Sequence, residues 1–199
     1  DAIQKTKVAI IGAGFGGLAM AIRLLQSQIN DFVILEKTND VGGTWRENQY
    51  PGAACDVQSH MYSLSFAPKT DWSKRYAEAD EIFTYIQDIT EQYKLKDYCK
   101  FNHEVTHAQF DENRNVWTIE FKDQPTLEAQ FVIFASGPLH VPQIPHIKGI
   151  EKFKGKVFHS SKWEHDYDLN GKSVASIGTG GSAIQYIPEI APEVKQLYV

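Results

Sequence analysis

Cysteine is scarce: 199 residues contain only Cys55 and Cys99. They form neither a CxxC pair nor a disulfide framework, which fits two reduced thiols in a cytoplasmic protein. No apolar run reaches the roughly eighteen residues that a membrane-crossing helix needs. The polar residues 1–7 lack the apolar centre of a signal peptide. Blocks of like charge are missing too, which argues against a charged tail. The formal net charge is −5, without the concentrated Lys and Arg that nucleic acid or an anionic membrane would favour. These absences point to a soluble, cytoplasmic protein with no nucleic-acid or membrane partner. Hydrophobic residues make up 42% of the chain, enough for a sizeable core in one or two domains.

The β-branched run at residues 7–11 stops at Gly12 and reads as a buried parallel strand. A helix follows over 15–28, with Leu18, Ile22 and Leu25 on one face, then a second strand over 32–36. This is a βαβ unit. Between its first strand and helix stands Gly12-Ala-Gly14-Phe-Gly-Gly17, the context that a dinucleotide turn requires. Gly12 permits the tight turn, Gly14 the approach of a pyrophosphate, and Gly17 close helix–strand packing. Phosphates would meet free N–H groups at the positive end of the helix dipole. Glu36 ends the second strand, where a carboxylate can hold a ribose hydroxyl and would repel a 2′-phosphate. FAD or NAD fits this first turn.

Residues 41–65 show no sustained period, and an irregular stretch of that length is usually functional. Helix is expected over 79–93. Strands are expected over 104–110, 116–121 and 126–130, as an antiparallel meander leading into a buried strand over 131–135. Pro138, Pro142 and Pro145 mark 138–155 as a stiff connection. A second strand, turn and helix occupy 173–177, 178–181 and 182–190, and a further strand begins at 197. The turn Gly178-Thr179-Gly180-Gly181-Ser182-Ala183 carries a small residue where the third glycine usually stands. The residue that separates NAD from NADP falls beyond Val199, and the chain reads as a fragment. Two dinucleotide sites have a shared purpose, one supplying hydride and the other, a flavin, accepting it.

Here the chain resembles the Baeyer–Villiger monooxygenases of the flavin-containing monooxygenase superfamily, over essentially its whole length. The resemblance rests on Val41-Gly-Gly-Thr-Trp45, Tyr50-Pro-Gly-Ala-Ala-Cys-Asp56, Ala135-Ser-Gly-Pro138 and the fingerprint Phe153, Gly155, His159, Trp163. Glu164 departs from the Pro or Asp that closes the fingerprint. Trp163 favours the ketone-oxidising branch over the N- and S-oxygenating one, where Phe or Tyr is usual.

The resemblance implies an α/β fold with two Rossmann-like dinucleotide-binding domains and an antiparallel β-meander, the second domain incomplete. Residues 1–140 would bind FAD, 141–170 would link, and 171–199 would begin an NADP-binding domain. It implies a monooxygenase that uses FAD, NADPH and O2 to convert a ketone to an ester or lactone through a C4a-peroxyflavin. Gly43, Thr44, Trp45 and Arg46 would line the flavin, with Tyr62 near it, and Val105 joins the cofactor-binding set. Asp56 would be the active-site aspartate, holding an arginine from later in the chain. No matching motif surrounds Arg23, Arg46, Arg75 or Arg114, so this chain alone would not complete the reaction. His159 would serve the linker hinge.

Metal binding is not expected. His159 has no ligand partners, and His103 and His107, on one strand face, lack the HExxH acid. Asp56 beside Cys55 disfavours a thiolate, and with no partner cysteine a disulfide reductase does not fit. An N- or S-oxygenating flavoenzyme and a non-catalytic nucleotide-binding remnant are the competing readings.

Overall fold

A computed structural model describes residues 3–139 and 141–199. The expected polar start at Asp1 and Ala2, and His140 of the Pro-rich connection, lie outside the described residues. Two compact units emerge: residues 1–44, 64–67 and 83–138, and residues 45–63, 68–82 and 139–199.

The first unit holds a six-stranded mixed sheet in the order β3-β2-β1-β6-β5-β4. β1 spans Gln4–Ile11, helix α1 Phe15–Gln26 and β2 Phe32–Leu35. β1 and β2 pair in parallel, Ile10 opposite Ile34, which completes the expected βαβ unit. Helix α1 buries Leu18, Ala21 and Ile22. It ends two residues earlier than the apolar spacing predicts, because Gln28 turns to a left-handed φ of 61°.

Two short helical pieces interrupt the expected irregular stretch: α2, Thr44–Glu47, and a 3₁₀ turn, Ser59–Met61. Helix α3 spans Ala79–Gln92 and buries Ile82, Tyr85, Ile86 and Ile89. β3 is a two-residue strand, Cys99–Lys100, that pairs with β2. It is too short to leave a periodic signal.

β4, Val105–Asp111, and β5, Val116–Phe121, form the expected hairpin. His103 precedes β4, and the register shifts between Val105 and His107, so the two histidines do not share a strand face. The third meander strand and the parallel strand are one element, β6, Leu127–Phe134. Its first residues pair antiparallel with β5, while the whole strand runs parallel to β1. That pairing also draws the polar Gln4 and Lys5 into β1, since ladder bonds need backbone rather than apolar side chains. Nor is the stretch 131–135 buried: Phe131 is 57% exposed and Phe134 61%. Ala9, Val33, Leu35, Ile119, Leu127 and Ala129 form a buried cluster of this sheet.

In the second unit, β7, Ser173–Ala175, helix α4, Gly181–Ile190, and β8, Gln196–Tyr198, make another parallel βαβ unit. A complete second sheet is not present among the described residues. No helix among them is long and apolar enough to cross a membrane.

Candidate functional site

The first turn is built by backbone crowding. Gly12 has φ +105°, and a Cβ there would lie 2.6 Å from the Ala135 carbonyl oxygen at the end of β6. A Cβ on Gly17 would fall 1.9 Å from the Gly12 carbonyl oxygen, so even a methyl group is excluded. Gly43, with φ +53°, packs its backbone on Gly14, where its own Cβ would come within 2.9 Å of the Gly14 Cα. The motif Val41-Gly-Gly-Thr is thereby brought to the turn.

Glu36 is 7% exposed. Its Oε2 accepts the Ala13 N–H at 2.9 Å, while Oε1 accepts the N–H and hydroxyl of Thr38 at 2.9 and 2.8 Å. The carboxylate expected to meet a ribose thus braces the turn itself, with further lone pairs on each oxygen. Val105 packs with Ile11 against the core cluster that contains Leu35.

Helix α1 begins at Gly14, an N-cap that makes no side-chain cap bond, and no acidic residue stands in its first turn. Its dipole is unopposed there. Helix α4 repeats the arrangement. Gly178 has φ +109°, and the N-cap Gly180 has φ −78° and ψ −172°, against −85° and −169° at Gly14. Again no side chain caps the helix and no acid occupies its first turn. Helix α3, by contrast, opens with Asp80 and Glu81. Free N–H groups at a positive helix end are what an anionic diphosphate requires.

The second turn is roomier. Nothing lies within 4 Å of a Cβ placed on Gly178, Gly180 or Gly181, and Ala183 is buried where Gly17 stands in the first turn. Thr179 and Ser182 flank Gly180 and Gly181 in this turn.

Trp45 Nε1–H in the second unit donates to the Tyr62 hydroxyl at 3.1 Å, and the two rings meet edge to face at 5.7 Å. Burial raises the Tyr62 phenol above its ordinary value, outweighing the Trp45 bond, and the negative charge of Asp56 adds to the rise. Asp56 is exposed. Arg46 pairs with Glu47 at 3.1 Å, and Arg75 lies over Tyr76. Glu47 also binds Lys162 at 2.7 Å. Arg46, Glu47 and Lys162 line an open cleft of about 280 Å³ with Gln49, Ser161 and Trp163.

The fingerprint residues have separate local tasks. The Phe153 ring covers Gly155, where a Cβ would meet it at 2.6 Å. His159 caps a 3₁₀ turn, Ser160–Lys162, its Nδ1 accepting the Ser161 N–H at 3.1 Å. Trp163 packs against Tyr50, Ala53, Ala79 and Tyr186. Glu164, the departure from the pattern, pairs with Lys156 at 2.5 Å. Among the described residues no group of three or more His, Cys, Asp or Glu could hold a metal.

One residue at the centre of this unit carried no motif signal. Gln185, on α4, accepts the Tyr50 hydroxyl at 2.8 Å and donates to the Ala54 carbonyl at 2.8 Å. A helix glutamine four residues past a dinucleotide turn is indistinguishable, by type, from a solvated one.

The sequence profile described as pyridine nucleotide-disulphide oxidoreductase matches residues 9–198. The chain belongs to this family. Membership in the pyridine nucleotide-disulphide oxidoreductase family rests here on nucleotide-binding architecture, since Cys55 and Cys99 are both free thiols. Burial pushes both upward, Cys99 to about 12, with the charge of Asp56 adding at Cys55 and that of Glu36 at Cys99. Protonated thiols are poor nucleophiles.

Within this family the chain is similar to a Baeyer–Villiger monooxygenase of Streptomyces coelicolor, 47% identical over 194 residues, covering 98% of this chain and 37% of that protein. A Baeyer–Villiger monooxygenase of Pseudomonas aeruginosa is 48% identical over 196 residues, with the same coverage. The crystal structure of OTEMO in complex with FAD and NADP superposes with a TM-score of 0.90 at 35% identity, covering 98% of this chain and 38% of that one. The resemblance drawn from the sequence motifs is borne out. The chain spans 37% of the length of these two curated relatives.

Proposed function

We propose that the protein is an FAD-dependent, NADPH-using monooxygenase that converts a ketone to an ester or lactone. One atom of O2 enters the product, the other leaves as water, and NADPH supplies the two electrons. The observation that carries this reading is the matched pair of uncapped, acid-free helix starts at Gly14 and Gly180. Their relatives' names and the FAD and NADP of the OTEMO complex support it.

The residues present fit the two dinucleotides. Gly12, Gly14 and Gly17 would hold the FAD diphosphate against α1, with Glu36 at the ribose. Gly43, Thr44, Trp45, Arg46, Tyr62 and Val105 would complete the FAD contacts. Gly178 to Ala183 would receive the NADP diphosphate at α4. Bound FAD supplies the redox centre at which O2 is activated. Asp56 would orient an arginine and hold negative charge in the site, and Trp45 fixes the Tyr62 hydroxyl by its hydrogen bond. Residues 1–140 would form the FAD-binding domain, 141–170 the linker and 171–199 the NADP-binding start.

Product analysis tests the reading. The purified full-length protein, given NADPH, a panel of ketones and ¹⁸O-labelled O2, is expected to yield esters carrying a single label. Exclusive N-oxide or sulfoxide formation from amine and sulfide substrates would replace it with the N- or S-oxygenating reading.

A further inference from the structure

Helix α4 is fastened to the loop that carries Asp56. The Gln185 side chain alone makes three bonds to that loop. Its amide nitrogen donates to the Ala54 carbonyl at 2.8 Å, and its carbonyl oxygen accepts the Tyr50 hydroxyl at 2.8 Å and the Ala54 N–H at 3.3 Å. Both termini of the carboxamide are therefore used, a pairing that fixes orientation as well as distance.

The loop is shaped for this contact. Gly52 has φ +72°, and a Cβ there would lie 2.8 Å from the Gln185 main-chain oxygen and 2.8 Å from the Glu189 side chain. Backbone thus lies against helix with no space for a side chain. The next helical residue, Tyr186, adds a ring contact to Tyr50 at 6.1 Å, and its hydroxyl lies 2.7 Å from that of Ser176. Asp56 is two residues beyond Ala54, and Gln185 is five beyond Gly180. The intervening Cys55 N–H is itself tied to the Ala77 carbonyl at 2.9 Å, so movement at Ala54 has little slack before Asp56.

We infer that Gln185 is a positioning residue that transmits occupancy of the second dinucleotide turn to the loop bearing Asp56. This deepens the proposed function and rests on it. A diphosphate seated at the start of α4 orders that helix, and Gln185 passes the order to residues 50–56 as a fixed register. Removing the carboxamide leaves Asp56 in place but uncouples it from the nucleotide.

The experiment uses the full-length protein with NADP⁺ as the probe. Hydrogen exchange of the segment 50–56 is measured with and without NADP⁺, in the native protein and in Gln185→Ala. The native protein is expected to exchange about tenfold more slowly in this segment when NADP⁺ binds, the size of one hydrogen bond's net contribution. Gln185→Ala is expected to bind NADP⁺ and retain FAD, yet show no such slowing. It would also divert NADPH electrons from ester to hydrogen peroxide.

Equal slowing in both proteins would overturn the inference, as would an unchanged ratio of ester to NADPH consumed. Should Gln185→Ala fail to fold, Gln185→Glu decides. Its neutral acid can donate to the Ala54 carbonyl, whereas its carboxylate cannot. The ester yield relative to the native protein at the same pH should therefore rise as pH falls. A flat ratio overturns the inference. If the native protein holds no FAD and consumes no NADPH, the functional reading falls first and takes this one with it.

Discussion

Gly17 sits so close to Gly12 that a methyl group on it would lie 1.9 Å from the Gly12 carbonyl oxygen. The first turn and the helix behind it are held at backbone distance. Gly17→Ala is therefore expected to destabilise the protein by about 1–3 kcal/mol, the usual cost of overpacking. Gly180→Ala, with φ −78° and nothing within 4 Å, should leave folding nearly unchanged. Urea unfolding of the two variants checks the contrast, and equal midpoints would contradict it.

Glu36→Gln should weaken the same turn by another route. The carboxylate accepts three bonds from Ala13 and Thr38. A carboxamide turns one accepting oxygen into a donor facing N–H groups, so a buried donor is left unmatched. The expected loss is about 1–3 kcal/mol, read as a lower urea midpoint, together with weaker FAD retention on dialysis.

The two thiols should be inert while the protein is folded. Cys99 is pushed up to about 12 and Cys55 above 9.0, so both stay protonated near neutrality. Alkylation by iodoacetamide at pH 8 is expected to be slow in native buffer and rapid in urea. Raised thiols favour the folded state in their neutral form. That contribution is complete below 9.0 and, for Cys99, is lost as pH climbs towards about 12. Rapid native labelling of either cysteine would contradict the burial described.

Tyr62 supplies a similar test. Its phenol lies above 10.0 because it is buried. Burial raises Tyr85 as well, so ultraviolet titration should show tyrosines that ionise late, and Tyr62→Phe should lower the amplitude of that late step without abolishing it. Stability contributed by the neutral phenol is full below 10.0 and falls away as pH passes the raised value. A titration curve unchanged by Tyr62→Phe would refute the assignment.

What could be read from residue order was the chemistry of backbone. Gly12 and Gly178 announce strand-to-helix bends because few other residues allow their positive φ, Gly17 announces the close packing behind the first bend, and Glu36 follows at the right interval. Features set by tertiary pairing were not readable. β6 is one strand because its two edges pair with different partners, a fact invisible in the run Leu127–Phe134 itself. Phe131 and Phe134 look like core by composition but stand exposed. Gln185 escaped notice because a polar helix residue gives no hint of the loop it holds. Trp163, quoted for its motif, also proves to be part of an aromatic cluster with Tyr186.

The central claim is that one bound dinucleotide reduces another. Anaerobic titration of the purified full-length protein with NADPH tests it most directly. The account predicts a yellow protein whose flavin absorbance bleaches with about one equivalent of NADPH per FAD, as expected for transfer of one hydride. A colourless protein, or a flavin that NADPH leaves oxidised, would contradict it.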